Sequence, residues 1–351
     1  MERSRELDFV RCVANYMIVL LHAWAAFQYV ANDTVEFYGW TFVCSHLSWL
    51  AIPSFFMISG YLLFQGFSLQ AWPNKMTRRI RRLAVPYVAW NLLFVAFYLA
   101  MAHLVPRLGQ RVATFGLDSF AGAFSKILSL TVGPIDGPLW FLRVLFLFAV
   151  ASPILWFALR AGKGIPVLVL SVAWCVGESA LGLTKALHLT APAYALVCFL
   201  LGGVIAVNGR DLVGVFGRRW KTWLAIGLGA CFARAVLIMK EIPAGAIISL
   251  LACLEAPVLI AAVSRLDVGR IVANRLYVTL REMSFFAYAG HFLFCSMWLH
   301  TLAPLFPGHW TGKFTILILV FVICGVLTMA AVYWLGKKLC PRVMKVFDGA
   351  L

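Results

Sequence analysis

Long apolar runs, separated by short polar segments, constrain the fold of this chain more than any other feature. Of its 351 residues, 63% are hydrophobic and only 13% are charged, whereas a soluble domain has roughly 45–50% apolar and about 25% charged residues. Each run approaches the roughly 20 residues that a helix needs to cross a bilayer. These runs are too long and too uniformly apolar for barrel strands, and a helix satisfies its own backbone hydrogen bonds in lipid. We therefore predict an all-α, polytopic transmembrane bundle.

We assign about ten membrane spans to the chain and treat residues 1–351 as a single integral membrane domain. The sequence shows no soluble domain, internal repeat or low-complexity tract. One outer connection, at about 106–138, is long enough to be functional or partly re-entrant. The predicted spans are 9–30, 41–64, 83–104, 139–159, 165–183, 191–208, 222–239, 243–264, 284–303 and 314–336.

The distribution of lysine and arginine predicts the orientation of these spans. With the N-terminus in the cytoplasm, the inner segments hold 22 of the 30 basic residues and the outer segments hold 6. Such a bias is typical of cytoplasmic loops. Both termini are therefore predicted to be cytoplasmic, and the protein to lie in the inner (cytoplasmic) membrane. The net charge of +16 follows from these loops, so we expect no nucleic-acid partner.

The first span carries a polar stripe of Asp8, Arg11, Asn15 and His22. Steps of three, four and seven residues keep side chains on one face of a helix. Arg11 and His22 are about 16 Å apart along the axis, which is about the length of a pantetheine arm. Phosphates at Arg11 would then put a thioester near His22, a residue able to accept a proton near neutral pH. Alternatively, Asp8 and Arg11 pair at the interface and His22 bonds a neighbouring helix.

Four arginines follow the second span within five residues, at Arg78, Arg79, Arg81 and Arg82. Guanidinium groups bind phosphates through two parallel hydrogen bonds. The cluster therefore suits the phosphates of an acyl-CoA donor. It equally suits a positive-inside loop in contact with anionic lipid.

Other polar residues inside the spans are candidates for substrate binding, because polar groups are costly in lipid. Ser59 can bond across helices, and Gly60 allows two helices to approach closely. Arg143 lies one turn inside the outer face, where it snorkels outward or points into a cavity. His291, in the ninth span, is a helix-bonded histidine or a catalyst. Trp140 stands at the start of the fourth span.

Three further charges lie inside spans, at Glu178, Arg234 and Glu255. Glu178 and Arg234 are toward the outer ends of their spans, which would place them along a path for the acceptor. The sequence assigns them no partners. The nine cysteines form no Cys-x-x-Cys pair, and we interpret them as small buried hydrophobic residues. We predict no metal site.

Taken together, these motifs resemble the acyltransferase-3 family of integral membrane acyltransferases. The resemblance covers most of the chain, and the order and depth of the motifs make it specific. The motifs are Arg11-x10-His22, Phe55-Phe56-x-x-Ser59-Gly60-Tyr61, Arg78-x-x-Arg81 with Arg79-x-x-Arg82, Pro86-Tyr87, Leu139-Trp140-Phe141-Leu142 and Tyr288-x-x-His291.

The resemblance implies transfer of an acyl group from cytoplasmic acyl-CoA to a hydroxyl at or beyond the outer face. Implied acceptors are surface polysaccharides or their lipid-linked precursors, as in the short stand-alone members that acetylate surface glycans. Acetyl-CoA is the expected donor, although succinyl is not separated from acetyl. The resemblance also implies roles in donor binding and catalysis for Arg11, His22 and the Arg-x-x-Arg residues. Some relatives place other polar groups at the position of Arg143, so its role stays open.

Two other functions use the same residues. A transporter or flippase for a glycan or small solute would use the polar stripe as a pathway, but the inverted repeats typical of transporters are not apparent. A membrane domain of a racemase or sensor is disfavoured by the lack of a fused soluble domain. The arginines and a histidine at thioester distance favour the enzyme.

The predicted orientation can be tested with a reporter enzyme that is active only outside the cytoplasm. Fused after Leu351, the reporter should be inactive, because both termini are predicted to be cytoplasmic. Fused to a chain truncated after Gly308, in a predicted outer segment, the same reporter should be active. Activity of the Leu351 fusion would contradict the span count.

Overall fold

The computed structural model describes residues 4–29, 35–102, 133–181, 192–308 and 310–350, together with Gly122, Phe124, Ser125 and Ile127. These residues form helices and connections, with no strand among them. The long helices are α1 Arg5–Leu21, α2 Val35–Phe64, α3 Trp72–Ala100, α4 Trp140–Arg160, α5 Ile165–Leu181, α6 Ala193–Val207, α7 Trp220–Met239, α8 Gly245–Val263, α9 Arg275–Leu302 and α10 Lys313–Leu339.

The helices confirm the predicted all-α membrane bundle. Within the described ranges, 7 helical stretches are long and apolar enough to cross a membrane. One of them, Gly137–Glu178, contains α4 and most of α5. Gly162 and Lys163 separate these two helices with positive φ angles of 54° and 57°, a conformation that ends a right-handed helix. The count of ten crossings and the side of the termini stay predictions.

Two glycines bring the backbones of α2 and α6 into direct contact. A Cβ on Gly60 would lie 1.9 Å from the carbonyl oxygen of Phe199, and a Cβ on Gly202 would lie 1.9 Å from that of Met57. Any larger side chain would force the helices apart. The structure thus confirms the close helix approach expected at Gly60, and it explains why this contact needs small residues.

Helices α1 and α9 also pack side by side. The hydroxyl of Tyr16 donates to the carbonyl of Leu280 over 2.9 Å. The buried residues of α1 include Leu7, Val10 and Ala14, at the spacing of one helix face. This packing places the histidines of the first and ninth predicted spans on neighbouring helices.

Polar side chains fix the ends of two helices. The Lys75 ammonium donates to the carbonyls of Leu63 and Gln65, at 3.1 and 3.3 Å, and so ties α3 to the C-terminal end of α2. The Glu36 carboxylate accepts from the backbone and hydroxyl of Thr315, at 2.7 and 2.6 Å. A cation at a helix C-terminus and an anion at an N-terminus are both stabilising. The first of these contacts holds the arginine-bearing segment beside α2.

The contact between α2 and α6 predicts a sharp difference between two glycine substitutions. Gly60→Ala should lower the unfolding temperature in detergent, because overpacking typically costs about 1–3 kcal/mol and here the neighbour is backbone. Gly177→Ala is the matched control, since no atom lies within 4 Å of its added Cβ. Thermal unfolding followed by size-exclusion fluorescence measures both. Equal unfolding temperatures for the two variants would contradict the close contact.

Candidate active site

A cavity of about 710 Å³ lies at the arginine-rich end of the bundle. Residues from α1, α2, α3, α4, α9 and the C-terminal segment line it. Six of its lining side chains are basic and three are acidic, so the cavity is positively charged and favours an anion. The basic residues are Arg11, Lys75, Arg78, Arg79, Arg82 and Arg281, and the acidic residues are Asp8, Glu282 and Asp348.

The polar stripe of α1 forms one wall of this cavity. Asp8, Arg11 and Asn15 all line it, as their spacing predicts. Arg11 Nη1 lies 3.9 Å from Asp8 Oδ1, and the Arg11 side chain is 45% exposed. Because exposed ion pairs contribute little stability, this pairing leaves Arg11 able to bind an anionic ligand. Pairing of Arg11 with Asp8 and binding of a phosphate by Arg11, the two interpretations of the sequence, are therefore compatible in one structure.

The arginine cluster divides between the cavity and the surface. Arg78, Arg79 and Arg82 line the cavity, whereas Arg81 is exposed and is not among the lining residues. The structure thus brings three of the four predicted donor-binding arginines together.

Away from the arginines, the cavity becomes mostly apolar. Ser59 and Asn15 line this deeper part with Phe55, Phe141 and Leu142. The predicted substrate-binding residues Trp140 and Arg143 are absent from the described lining. The Trp140 ring instead contacts Phe56, with centroids 6.0 Å apart, and Arg143 is half-buried.

The two intramembrane histidines, His22 and His291, form a pair. Their ring centroids are 4.8 Å apart and their planes meet at 55°. His22 directly follows the last residue of α1, Leu21. His291 is fully buried in α9. In the sequence each histidine is a candidate on its own, and the packing of α1 against α9 brings the two together.

Hydrogen bonds fix which ring nitrogen of each histidine can accept a proton. His22 Nδ1 lies 2.9 Å from the carbonyl oxygen of Ile18, and His291 Nδ1 lies 2.5 Å from that of Tyr288. A carbonyl oxygen only accepts, so each Nδ1 carries the hydrogen and each Nε2 has a free lone pair. The buried His291 Nε2 has no hydrogen-bond partner among the described residues. In this neutral tautomer Nε2 is the ring nitrogen that can accept a proton, as a general base must.

Tyr288 connects the cavity with the histidine pair. Its side chain lines the cavity, and its ring centroid lies 6.4 Å from that of His291. Its hydroxyl donates to the carbonyl of Pro138 over 2.7 Å, which fixes the ring. Neither histidine is among the described lining residues. Tyr288 is therefore the residue that links the cavity to His291.

Several residues of this site were not predicted from the sequence. Arg281 falls in a predicted inner loop, but α9 begins at Arg275 and carries Arg281 on the same face as Tyr288, seven residues later. At the C-terminus, Trp90 Nε1 donates to the carbonyl of Phe347 over 3.0 Å and holds Asp348 at the cavity. Burial raises the pKa of the Asp348 carboxyl.

Asp136 is a further buried residue near the site. It is fully buried, and its two carboxylate oxygens have no hydrogen-bond partner in the described part of the chain. Its backbone N–H donates to Asn91 Oδ1 over 3.2 Å, and it lies two residues before Pro138, whose carbonyl accepts from the Tyr288 hydroxyl. Most of the predicted outer connection at 106–138 lies outside the described residues. The residues described at the C-terminal end of this connection, 133–138, are mostly buried in the protein beside the site.

One of the comparisons with known proteins gives an assignment. A family model of the acyltransferase domain that defines the acyltransferase-3 family matches residues 4–337. That match covers nearly the whole chain, including the histidine pair and every lining residue of the cationic cavity except Asp348, Gly349 and Ala350. Searches of curated proteins and of solved structures found no match.

Proposed function

The chain belongs to the acyltransferase-3 family of membrane acyltransferases, and we propose that it moves an acetyl group from cytoplasmic acetyl-CoA to a hydroxyl of a surface glycan or its lipid-linked precursor. One observation carries this proposal. A positively charged cavity reaches Tyr288, and Tyr288 contacts one of a pair of histidines whose Nε2 atoms are free to accept a proton. Group transfer from an anionic donor uses both features.

The phosphates of the donor bind Arg78, Arg79 and Arg82, with Arg11 and Arg281 facing them across the cavity. Arginine suits this role because its planar fork matches phosphate oxygens. The pantetheine arm then extends along α1 through the apolar part of the cavity. Because Arg11 and His22 are about 16 Å apart along the axis, the thioester comes to lie near Tyr288 and the histidines.

In the reaction, the acceptor hydroxyl oxygen attacks the thioester carbonyl carbon while His22 Nε2 takes the hydroxyl proton. The resulting tetrahedral intermediate collapses with cleavage of the C–S bond. The His22 imidazolium then returns its proton to the CoA thiolate. The products are the ester and free CoA, and no acyl group is attached to the enzyme. A positioned base of this kind contributes about 10²–10⁴ in rate.

His22 is assigned as the base, with His291 as its neighbour. His22 is half-buried, whereas His291 is fully buried, so a hydroxyl approaches His22 more readily. His22 also shares α1 with Arg11, which fixes its distance from the donor phosphates. His291 offers a second neutral acceptor nitrogen and is the alternative base.

The donor site predicts a specific loss of affinity. Replacing Arg78, Arg79 and Arg82 together with alanine should weaken acetyl-CoA binding at least about tenfold, because each charged hydrogen bond contributes about 1.5–3 kcal/mol. Isothermal titration of the protein in nanodiscs measures this, and raised salt should weaken wild-type binding. Arg218→Ala, an exposed arginine of another inner segment, is the control. Unchanged affinity in the triple variant would place the donor elsewhere.

The chemical step predicts a loss of turnover without a loss of donor binding. His22→Ala should lower acetyl transfer by about 10²–10⁴ and retain acetyl-CoA affinity. The assay follows radiolabel from acetyl-CoA into membrane glycans, and mass spectrometry of the glycans identifies the acyl group. His300→Ala, an exposed histidine of α9, should be fully active.

Two results would overturn this mechanism. Near-normal turnover in His22→Ala would make His22 a packing residue, and a large loss in His291→Ala alone would then identify the base as His291. A trapped acyl-enzyme would exclude direct attack and would indicate an activated nucleophile such as Ser59.

A further inference from the structure

The C-terminal segment of the chain folds back against the bundle and reaches the cationic cavity. A short helix, α11, runs over Pro341–Phe347, and the residues that follow it, Asp348, Gly349 and Ala350, line the cavity. The match to the family model ends at residue 337, before α11 begins. Membership of the family therefore assigns this segment no role, although the segment forms part of the wall of the proposed donor site.

Aromatic contacts anchor the end of α11 close to the histidines. Trp90 Nε1 donates to the carbonyl of Phe347 over 3.0 Å, and the two rings pack edge to face with centroids 5.2 Å apart. The fully buried Trp90 ring also packs against α9, where a Cβ on Gly290 would lie 2.8 Å from it. Gly290 directly precedes His291. A single buried side chain therefore connects the end of α11 with the turn of α9 that carries His291.

The residues after α11 are fixed by a tight helix ending. The Ala350 N–H donates to the carbonyl of Lys345 over 3.1 Å, and Gly349 has a positive φ of 67°, which is the usual conformation of a glycine that terminates a helix. A Cβ on Gly349 would lie 3.2 Å from the carbonyl oxygen of Arg82 and 3.5 Å from the Phe285 ring. Asp348 is therefore held in one place, beside both α3 and α9.

Asp348 lies between the two ends of the proposed donor site. Its neighbour Gly349 packs against Arg82, one of the arginines assigned to the donor phosphates, and against Phe285. Phe285 in turn contacts Tyr288, with ring centroids 6.1 Å apart, and all of these residues line the cavity. The thioester is assigned to the region of Tyr288. The part of the donor that passes Asp348 is then the pantetheine arm.

The carboxylate of Asp348 differs from the other acidic groups of the cavity. Asp8 and Glu282 lie 3.9 and 3.5 Å from basic side chains. In the part of the chain that the structure describes, Asp348 forms no such ion pair, and its Oδ1 accepts from the Ala350 N–H over 2.9 Å. An ionised carboxylate only accepts hydrogen bonds, so its other oxygen is available to a ligand group that donates. Ionised phosphates have no donor, whereas the pantetheine arm has amide N–H groups and a hydroxyl.

We infer that Asp348 binds the pantetheine arm of the donor, by accepting a hydrogen bond from an amide N–H or the hydroxyl of the arm. This inference rests on the proposed function for the identity of the donor. Because like charges repel, the same carboxylate disfavours a phosphate at its position and keeps the phosphates at the arginines. Asp348 thus selects the uncharged part of the donor for the stretch of the cavity between Arg82 and Tyr288.

The inference is tested by isothermal titration of the full chain in nanodiscs. Asp348→Asn keeps an oxygen that accepts from Ala350 and replaces the available acceptor with a donor, so it should weaken acetyl-CoA binding at least about tenfold. The adenosine bisphosphate half of CoA, which has phosphates but no arm, should bind the variant as tightly as it binds wild type. Asp267→Asn is the matched control and should leave both affinities unchanged. Asp267 also accepts a backbone N–H, from Arg270 over 3.2 Å, and it is not a lining residue of the cavity.

Each contrary result has its own meaning. Unchanged acetyl-CoA affinity in Asp348→Asn would make Asp348 only part of the cavity wall, and tighter binding would show that its carboxylate repels the donor. An equal loss for acetyl-CoA and for adenosine bisphosphate would place the contact outside the arm. All three would overturn the inference. Asp348→Ala gives the same test if Asp348→Asn elutes as an aggregate. Wild type that binds no acetyl-CoA would instead refute the proposed donor, and the inference with it.

Discussion

The cost of placing polar groups in lipid is the constraint on which the rest of this structure depends. A charge inside a bilayer must be paired or must face a protein cavity. Here Arg234 pairs with Glu255 at 2.6 Å, and the two intramembrane histidines bond carbonyls of their own helices. Apolar side chains such as Ile154 and Leu170 are exposed at the lipid-facing surface. The functional candidates are therefore found where the bundle shelters polar groups from lipid.

Helix α1 organises these sheltered groups. One of its faces contributes Arg11 and Asn15 to the cationic cavity, while Met17 packs against the buried cluster of Leu50, Cys231 and Val258. The α-helix ends at Leu21, so His22 stands at a fixed distance from Arg11. A rigid helix fixes that distance more precisely than a loop does. This matters for any general base, because a base is effective only within hydrogen-bond reach of the proton that it takes. The packing of α9 against α1 then places His291 beside His22.

Features that depend on local periodicity could be predicted from the sequence, and features that depend on helix neighbours could not. The helical spans, the stripe of Asp8, Arg11 and Asn15, and the close contact at Gly60 all follow from spacing along one helix. The pairing of His22 with His291 depends on which helices pack together, and no periodicity encodes it. The sequence also does not reveal which arginines of the cluster line the cavity. Arg81 does not, and an Arg-x-x-Arg pattern leaves open which side of the helix faces the cavity. The role of Asp348 depends on where the C-terminal segment folds back.

The charged groups that the bundle shelters differ in their balance. Six basic and three acidic side chains give the cavity at the arginine-rich end an excess of positive charge, which favours an anion. At Arg234, by contrast, Glu255 cancels the charge. A phosphate would gain little attraction there and would still lose its hydration. Charge balance thus distinguishes the arginine-rich end as the place where the bundle stabilises an anionic ligand.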